Sequence, residues 1–248
     1  MSVIGVYDSG IGGLTTLSAL KRVLVGHDFY YLADTKAMPF GTKTKEEIYS
    51  IVTRGLKMLK DHSDFQVIAC NTASTVVAPK DAFLLKPNLD GLTPHATLFL
   101  STPATMKALD VIKKGYGTAD TKNLATMVEI MGSLSYKSKG KMGLEQLSET
   151  VKNLLQSATI DPTKTNKVLL GCSHYVYIKP LLKAWLPWAE IVDGNSALSA
   201  EILSKIPPSK KSANEGGKIE FAFTLGSEKD KYDWMIKNLD KNQGFWGI

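Results

Sequence analysis

Short apolar runs that end in clusters of small residues, each followed by a stretch of helical periodicity, recur through most of this 248-residue chain. That alternation narrows the fold more than any other feature. Strands followed by helices make βαβ units, and such units build mostly parallel sheets. The first run, residues 3–7, opens into Asp8-Ser9-Gly10-Ile11-Gly12-Gly13, with a helix expected over 14–23. Further strands are expected at 29–33 and 65–69. Between them a helix begins at Thr44, where Glu47 supplies the capping-box partner, and runs to about residue 61.

The pattern restarts after Pro94, with a strand over 96–100, a helix to about residue 113, a helix over 144–156 and a strand over 167–171. A helix through Trp185, a short strand at 191–192, a helix over 197–205, a strand over 219–225 and a helix over 228–239 complete the reading. Each half opens with an apolar strand running into a small-residue turn, and each later sets a strand directly before a cysteine. The fold class expected is α/β: two pseudo-symmetric α/β domains with mostly parallel sheets and an active site in the cleft between them. Residues 1–95 with 206–248 form the first domain, and 96–205 the second. Ligands of such sheets bind beyond the carboxyl ends of the strands, where Asp8, Cys70, Thr102 and Cys172 all fall.

Composition excludes several classes. No apolar run reaches the ~18 residues of a membrane span, and no basic segment leads into a long apolar one, so a cytoplasmic protein is expected. The net charge is +6, yet only Arg22 and Arg54 are arginine. Scattered lysines without arginine forks argue against a nucleic-acid partner. The densest groups, Lys137 with Lys139 and Lys141, and Lys210 with Lys211, read as solvated loops. Glycines 10, 12 and 13 match neither a dinucleotide fingerprint nor a P-loop. His27, His62 and His95 lack ligand spacing and read as surface or loop residues.

Two cysteines in a chain of this length make no disulfide framework, and free cysteine is often a buried, inert residue. Their contexts say more. Val67-Ile68-Ala69-Cys70-Asn71-Thr72 delivers a thiol from a buried strand to the start of a helix, where backbone N–H groups lower a cysteine pKa. Val168-Leu169-Leu170-Gly171-Cys172-Ser173-His174 is the parallel arrangement, with His174 close enough in sequence to exchange a proton with its thiol. Inverting a carbon centre needs a base on one face and an acid on the other, and two matched thiols serve both directions. Asp8 also suits a turn former, and His174 a structural hydrogen-bonder.

Collinear motifs resemble the glutamate racemases: residues 4–14 around Asp8-Ser9-Gly10, Ala33-Asp34-Thr35, Pro39-Phe40-Gly41-Thr42, Ala69-Cys70-Asn71-Thr72-Ala73-Ser74, Leu170-Gly171-Cys172-Ser173-His174-Tyr175 and Phe223-Thr224-Leu225-Gly226. The resemblance implies glutamate held between two domains, Cys70 acting on the D-enantiomer and Cys172 on the L-enantiomer, with Asp8 and His174 assisting. It implies substrate contacts from Ser9, Pro39, Phe40, Gly41, Asn71, Thr72, Thr105 and Ser173, and D-glutamate supplied for bacterial peptidoglycan. It implies no cofactor: no pyridoxal phosphate, nicotinamide or metal. The partner expected is a small-molecule substrate, without nucleic acid or membrane. Oligomeric state is left open, a homodimer being one option.

Four departures from the family pattern stand out. Phe40 replaces the usual tyrosine, Val176 a common proline, and the stretch between Pro94 and Ala96 is short. Residues 126–136 show no equivalent of the family's glutamate, since Glu129 is the nearest carboxylate but is wrongly spaced. The rival readings are a racemase of another small amino acid such as aspartate, a racemase-like binding protein without turnover, and a redox switch through a Cys70–Cys172 disulfide.

Overall fold

The computed structural model describes residues 2–140, 142–209 and 217–241. Its first half runs β1 (Val3–Asp8), α1 (Leu14–Val23), β2 (Asp28–Ala33), α2 (Lys45–Lys60), β3 (Phe65–Ile68), α3 (Asn71–Val76) and β4 (Phe83–Leu84). Then come β5 (Thr97–Ser101), α4 (Pro103–Ala108), α5 (Leu124–Ser138), α6 (Leu144–Gln156) and β6 (Lys167–Gly171). A 3-10 turn (Ser173–Ile178) leads into α7 (Lys179–Trp185), β7 (Glu190–Asp193), α8 (Asn195–Lys205), β8 (Ile219–Phe223) and α9 (Lys229–Asp240). One sheet has the order β4-β3-β1-β2-β8 and the other β5-β6-β7, and every pairing is parallel. No described helix is long and apolar enough to cross a membrane.

Strand alternation divides the core. Ile4, Val6, Tyr31 and Val67 of the first sheet share one apolar cluster with Leu98, Leu100, Val168 and Leu170 of the second. Their neighbours Tyr7, Leu32 and Ile68 face the opposite side under α2, and Phe99 and Leu169 pack with Val111 and Tyr116. The period of two is what puts Phe99 and Leu100 on opposite faces. The continuous cluster also holds Leu14, Leu17 and Leu20 of α1. Each such buried leucine stabilises the fold by about 1.5–3 kcal/mol, so α1 is a firm pedestal for the turn before it.

Thr44 caps α2 as the sequence requires, its hydroxyl accepting from Glu47 N while the Glu47 carboxylate accepts from Thr44 N at 2.8 Å. The helix expected to reach residue 113 stops at Ala108, and the chain turns through Asp110 at φ +55°. Helix α5 has no counterpart in the sequence reading. Lys137 lies in its last turn and Lys139 caps it in the left-handed region, so this cluster is a helix end rather than a loop. Lys141, Lys210 and Lys211 lie outside the described residues. His27 lies in the loop between α1 and β2, where it is buried and not at the surface.

Candidate active site

The glycine-rich turn after β1 is shaped by what it touches. Asp8, fully buried, accepts from Gly10 N at 2.8 Å and from the Ser173 hydroxyl at 3.0 Å. Tyr31 donates to Gly10 O and Tyr177 to Ile11 O, each at 2.7 Å. A Cβ at Gly12 would lie 2.4 Å from Ser173 Oγ and 2.5 Å from His174 Nδ1. The glycine is therefore needed for contact with the segment after Cys172, not for binding phosphate. Gly12→Ala should displace His174 and lower turnover about 10²-fold, the scale of a 1 Å misplacement, as steady-state kinetics on folded variant would show.

Cys70 ends the strand-to-helix passage before α3, and Cys172 ends β6 before the 3-10 turn. Both are free thiols and line one small, tightly packed cavity of about 10 Å³. Ser173 and His174 flank Cys172 there, while Ser9, Thr72 and the Pro39, Phe40 and Gly41 loop supply other walls. Thr102, one of the strand-end residues expected at the site, also lines the cavity, as do Met38 and Ala125, which were not singled out from the sequence. Phe40 is buried with its ring 6.2 Å from that of Tyr7. Asn71 and Thr105 do not line the cavity: Asn71 donates to Leu85 O at 3.2 Å, and Thr105 lies behind Thr102, their hydroxyls 3.0 Å apart. Thr102 in turn meets the Thr72 hydroxyl at 2.9 Å, joining the two halves.

The helix start does not lower the Cys70 thiol as expected. Burial pushes it up and the Asp8 charge adds to this, outweighing the N–H groups of Ala73 and Thr72. Burial dominates because α3 has only six residues and a thiolate in a closed apolar wall loses its hydration. Asp8 is likewise raised by burial, against His174 and the turn's N–H groups.

Glu129 reverses another expectation. It projects from α5 into the site, where its Oε2 stands 3.0 Å from His174 Nε2 and accepts from Ile11 N at 3.0 Å. A carboxylate therefore does stand beside His174, brought there by the pitch of α5 and not by a Pro-rich segment. Burial opposes its charge, but His174, Lys231 and the Ile11 N–H hold it below the usual carboxylate range. His174 is held well above its ordinary value: burial opposes the cation, while hydrogen bonds to Cys172 and Glu129 favour it. The sequence did carry one signal, a lone carboxylate inside the apolar run Val128-Glu129-Ile130-Met131. Among the described residues no cluster of three or more His, Cys, Asp or Glu is placed to hold a metal.

No family model matches the chain. It is 29% identical to a glutamate racemase of Carboxydothermus hydrogenoformans over 246 residues, covering 95% of this chain and 89% of the relative. It is 30% identical to that of Clostridium novyi over 224 residues, 84% of each. In fold it resembles a glutamate racemase isoform of Bacillus anthracis, with a TM-score of 0.73, 23% identity and 96% and 94% of the two chains covered. The Escherichia coli glutamate racemase, solved with L-glutamate and an activator, gives 0.72 at 21% identity, covering 98% and 96%. Two parallel sheets that meet at one cavity, together with these relatives, place the chain in the class of amino-acid racemases. The chain belongs to the glutamate racemase family.

Proposed function

We propose that the chain interconverts L- and D-glutamate by proton transfer at the α-carbon, with Cys70 addressing the D-enantiomer and Cys172 the L-enantiomer. The observation that carries this reading is the single cavity lined by thiols from both sheets. In one direction the Cys70 thiolate takes the α-proton while the Cys172 thiol gives its proton to the opposite face, and in the other the roles exchange. Asp8 stands behind Cys70 and His174 beside Cys172, each as the proton relay of its neighbour. Burial pushes the Cys70 thiol up, so its proton has to leave before it acts as base, and Asp8, whose carboxyl burial also raises, stands by to accept it.

Charge developing on the substrate needs preorganised donors. Neither arginine lines the cavity, so the hydroxyls of Ser9, Thr72, Thr102 and Ser173 and the backbone of the Pro39, Phe40 and Gly41 loop serve. Asn71 and Thr105 support that wall from behind. The solved Escherichia coli neighbour binds L-glutamate, which favours glutamate over other small amino acids. D-Glutamate made in this way would enter peptidoglycan, in the cytoplasm. Incubation with D-glutamate in heavy water is expected to yield L-glutamate carrying α-deuterium. Absence of both products would overturn the reading.

A further inference from the structure

Lys231 is a charged side chain where an ammonium needs a reason to be. It sits in the first turn of α9, only 6% exposed. Its Nζ lies 2.8 Å from Glu228 Oε1, 3.4 Å from Glu129 Oε1 and 3.4 Å from Ser133 Oγ. A buried ammonium is tolerated only when paired. One of its two carboxylates is the one that meets His174.

The two oxygens of Glu129 are divided. Oε2 is occupied by Ile11 N and His174, while Oε1 faces Lys231. Rotation of the carboxylate is thereby restrained from both sides, and a line of contacts runs from α9 through Glu129 and His174 to Cys172. Charge also links Lys231 to the site: Glu129 is buried between the His174 ring and the Lys231 ammonium, whereas Glu228, the other carboxylate on Lys231, is part-exposed. The nearby hydroxyls of Tyr31 and Tyr177 donate to Gly10 O and Ile11 O, and burial pushes both of them, and that of Tyr232, up.

We propose that Lys231 is a positioning residue for the Cys172 half-reaction, fixing the Glu129 carboxylate that orients His174. Its position on a helix far along the chain makes α9 part of the catalytic support, although no atom of α9 lines the cavity. The inference rests on the two-thiol reading above, so its test includes a measurement that needs no turnover.

Lys231→Met, Lys231→Gln and Lys231→Arg variants of the full chain are compared with the unaltered protein. Iodoacetamide modification of each cysteine is followed by peptide mass spectrometry, alongside racemisation by circular dichroism. With Met or Gln, Cys172 should be modified about tenfold more slowly at an unchanged Cys70 rate, and kcat should fall about 10- to 100-fold with little change in KM. Arg should restore both. Unchanged Cys172 modification would overturn the inference. So would faster modification of Cys172, or a rise at both cysteines, which marks loosened packing instead. If the unaltered protein shows no turnover, the two-thiol reading fails, and the modification rates still report on Lys231 by themselves.

Discussion

Replacing Cys172 by serine should lower racemisation about 10²–10⁴-fold, the range supplied by a positioned acid or base. A hydroxyl is far harder to ionise than a thiol and cannot take the α-proton of L-glutamate at neutral pH. The expected loss is largely in kcat, because Ser173, Thr72 and the Phe40 loop still line the cavity and can still hold substrate. Cys70→Ser should fail to the same degree from the other face. Chiral chromatography after long incubation checks both. Retention of half the activity in either variant would mean that one thiol suffices, and opposed protonation would be wrong.

Glu129→Gln should have the next largest effect, about 10²–10⁴-fold in kcat. The amide keeps the volume but loses the charge that favours the His174 cation, and it can present N–H where His174 Nε2 and Ile11 N require an acceptor. The same change should destabilise the fold by about 3–5 kcal/mol at neutral pH, since it leaves buried His174 and Lys231 short of an anion. The sign with pH follows from the depressed Glu129 carboxyl. Its stabilising contribution is present above the ordinary value of 4.5 and disappears as pH falls through the lower folded value. Urea unfolding of the two proteins should therefore differ at pH 7 and converge in acid. A constant gap across that range would show that Glu129 is not ionised in the folded protein.

Much of this was readable in advance. Helix α1 matches its expected span because a glycine-rich turn bounds it and its leucines recur at helical spacing. Strand β6 is bounded as expected, and both cysteines reach the cavity because each follows an apolar run that has room for only one sheet position. Helix α5 was not readable because its buried stripe holds Glu129, Gly132 and Ser135 among the apolar residues, which blurs the periodicity. With the helix hidden, the distance from Glu129 to the site could only be counted along the chain, and linear spacing misjudged it. The direction of the Cys70 shift failed for another reason. A strand-to-helix motif reveals the helix dipole but not the depth of burial, and burial decides here.

Two parallel sheets have been given unmatched equipment: a carboxylate, an imidazole and an ammonium stand in file behind one sulfur, and little more than Asp8 behind the other. Mirror-image amino acids have equal free energy in water, so the ratio kcat/KM must be identical in the two directions. The lopsided wiring can then surface only as a trade, in which the enantiomer that saturates at lower concentration is also the one turned over more slowly. Its practical meaning is a catalyst whose direction of net flow always answers to which hand of glutamate is in excess, while the speed at crowded substrate levels differs between the two hands.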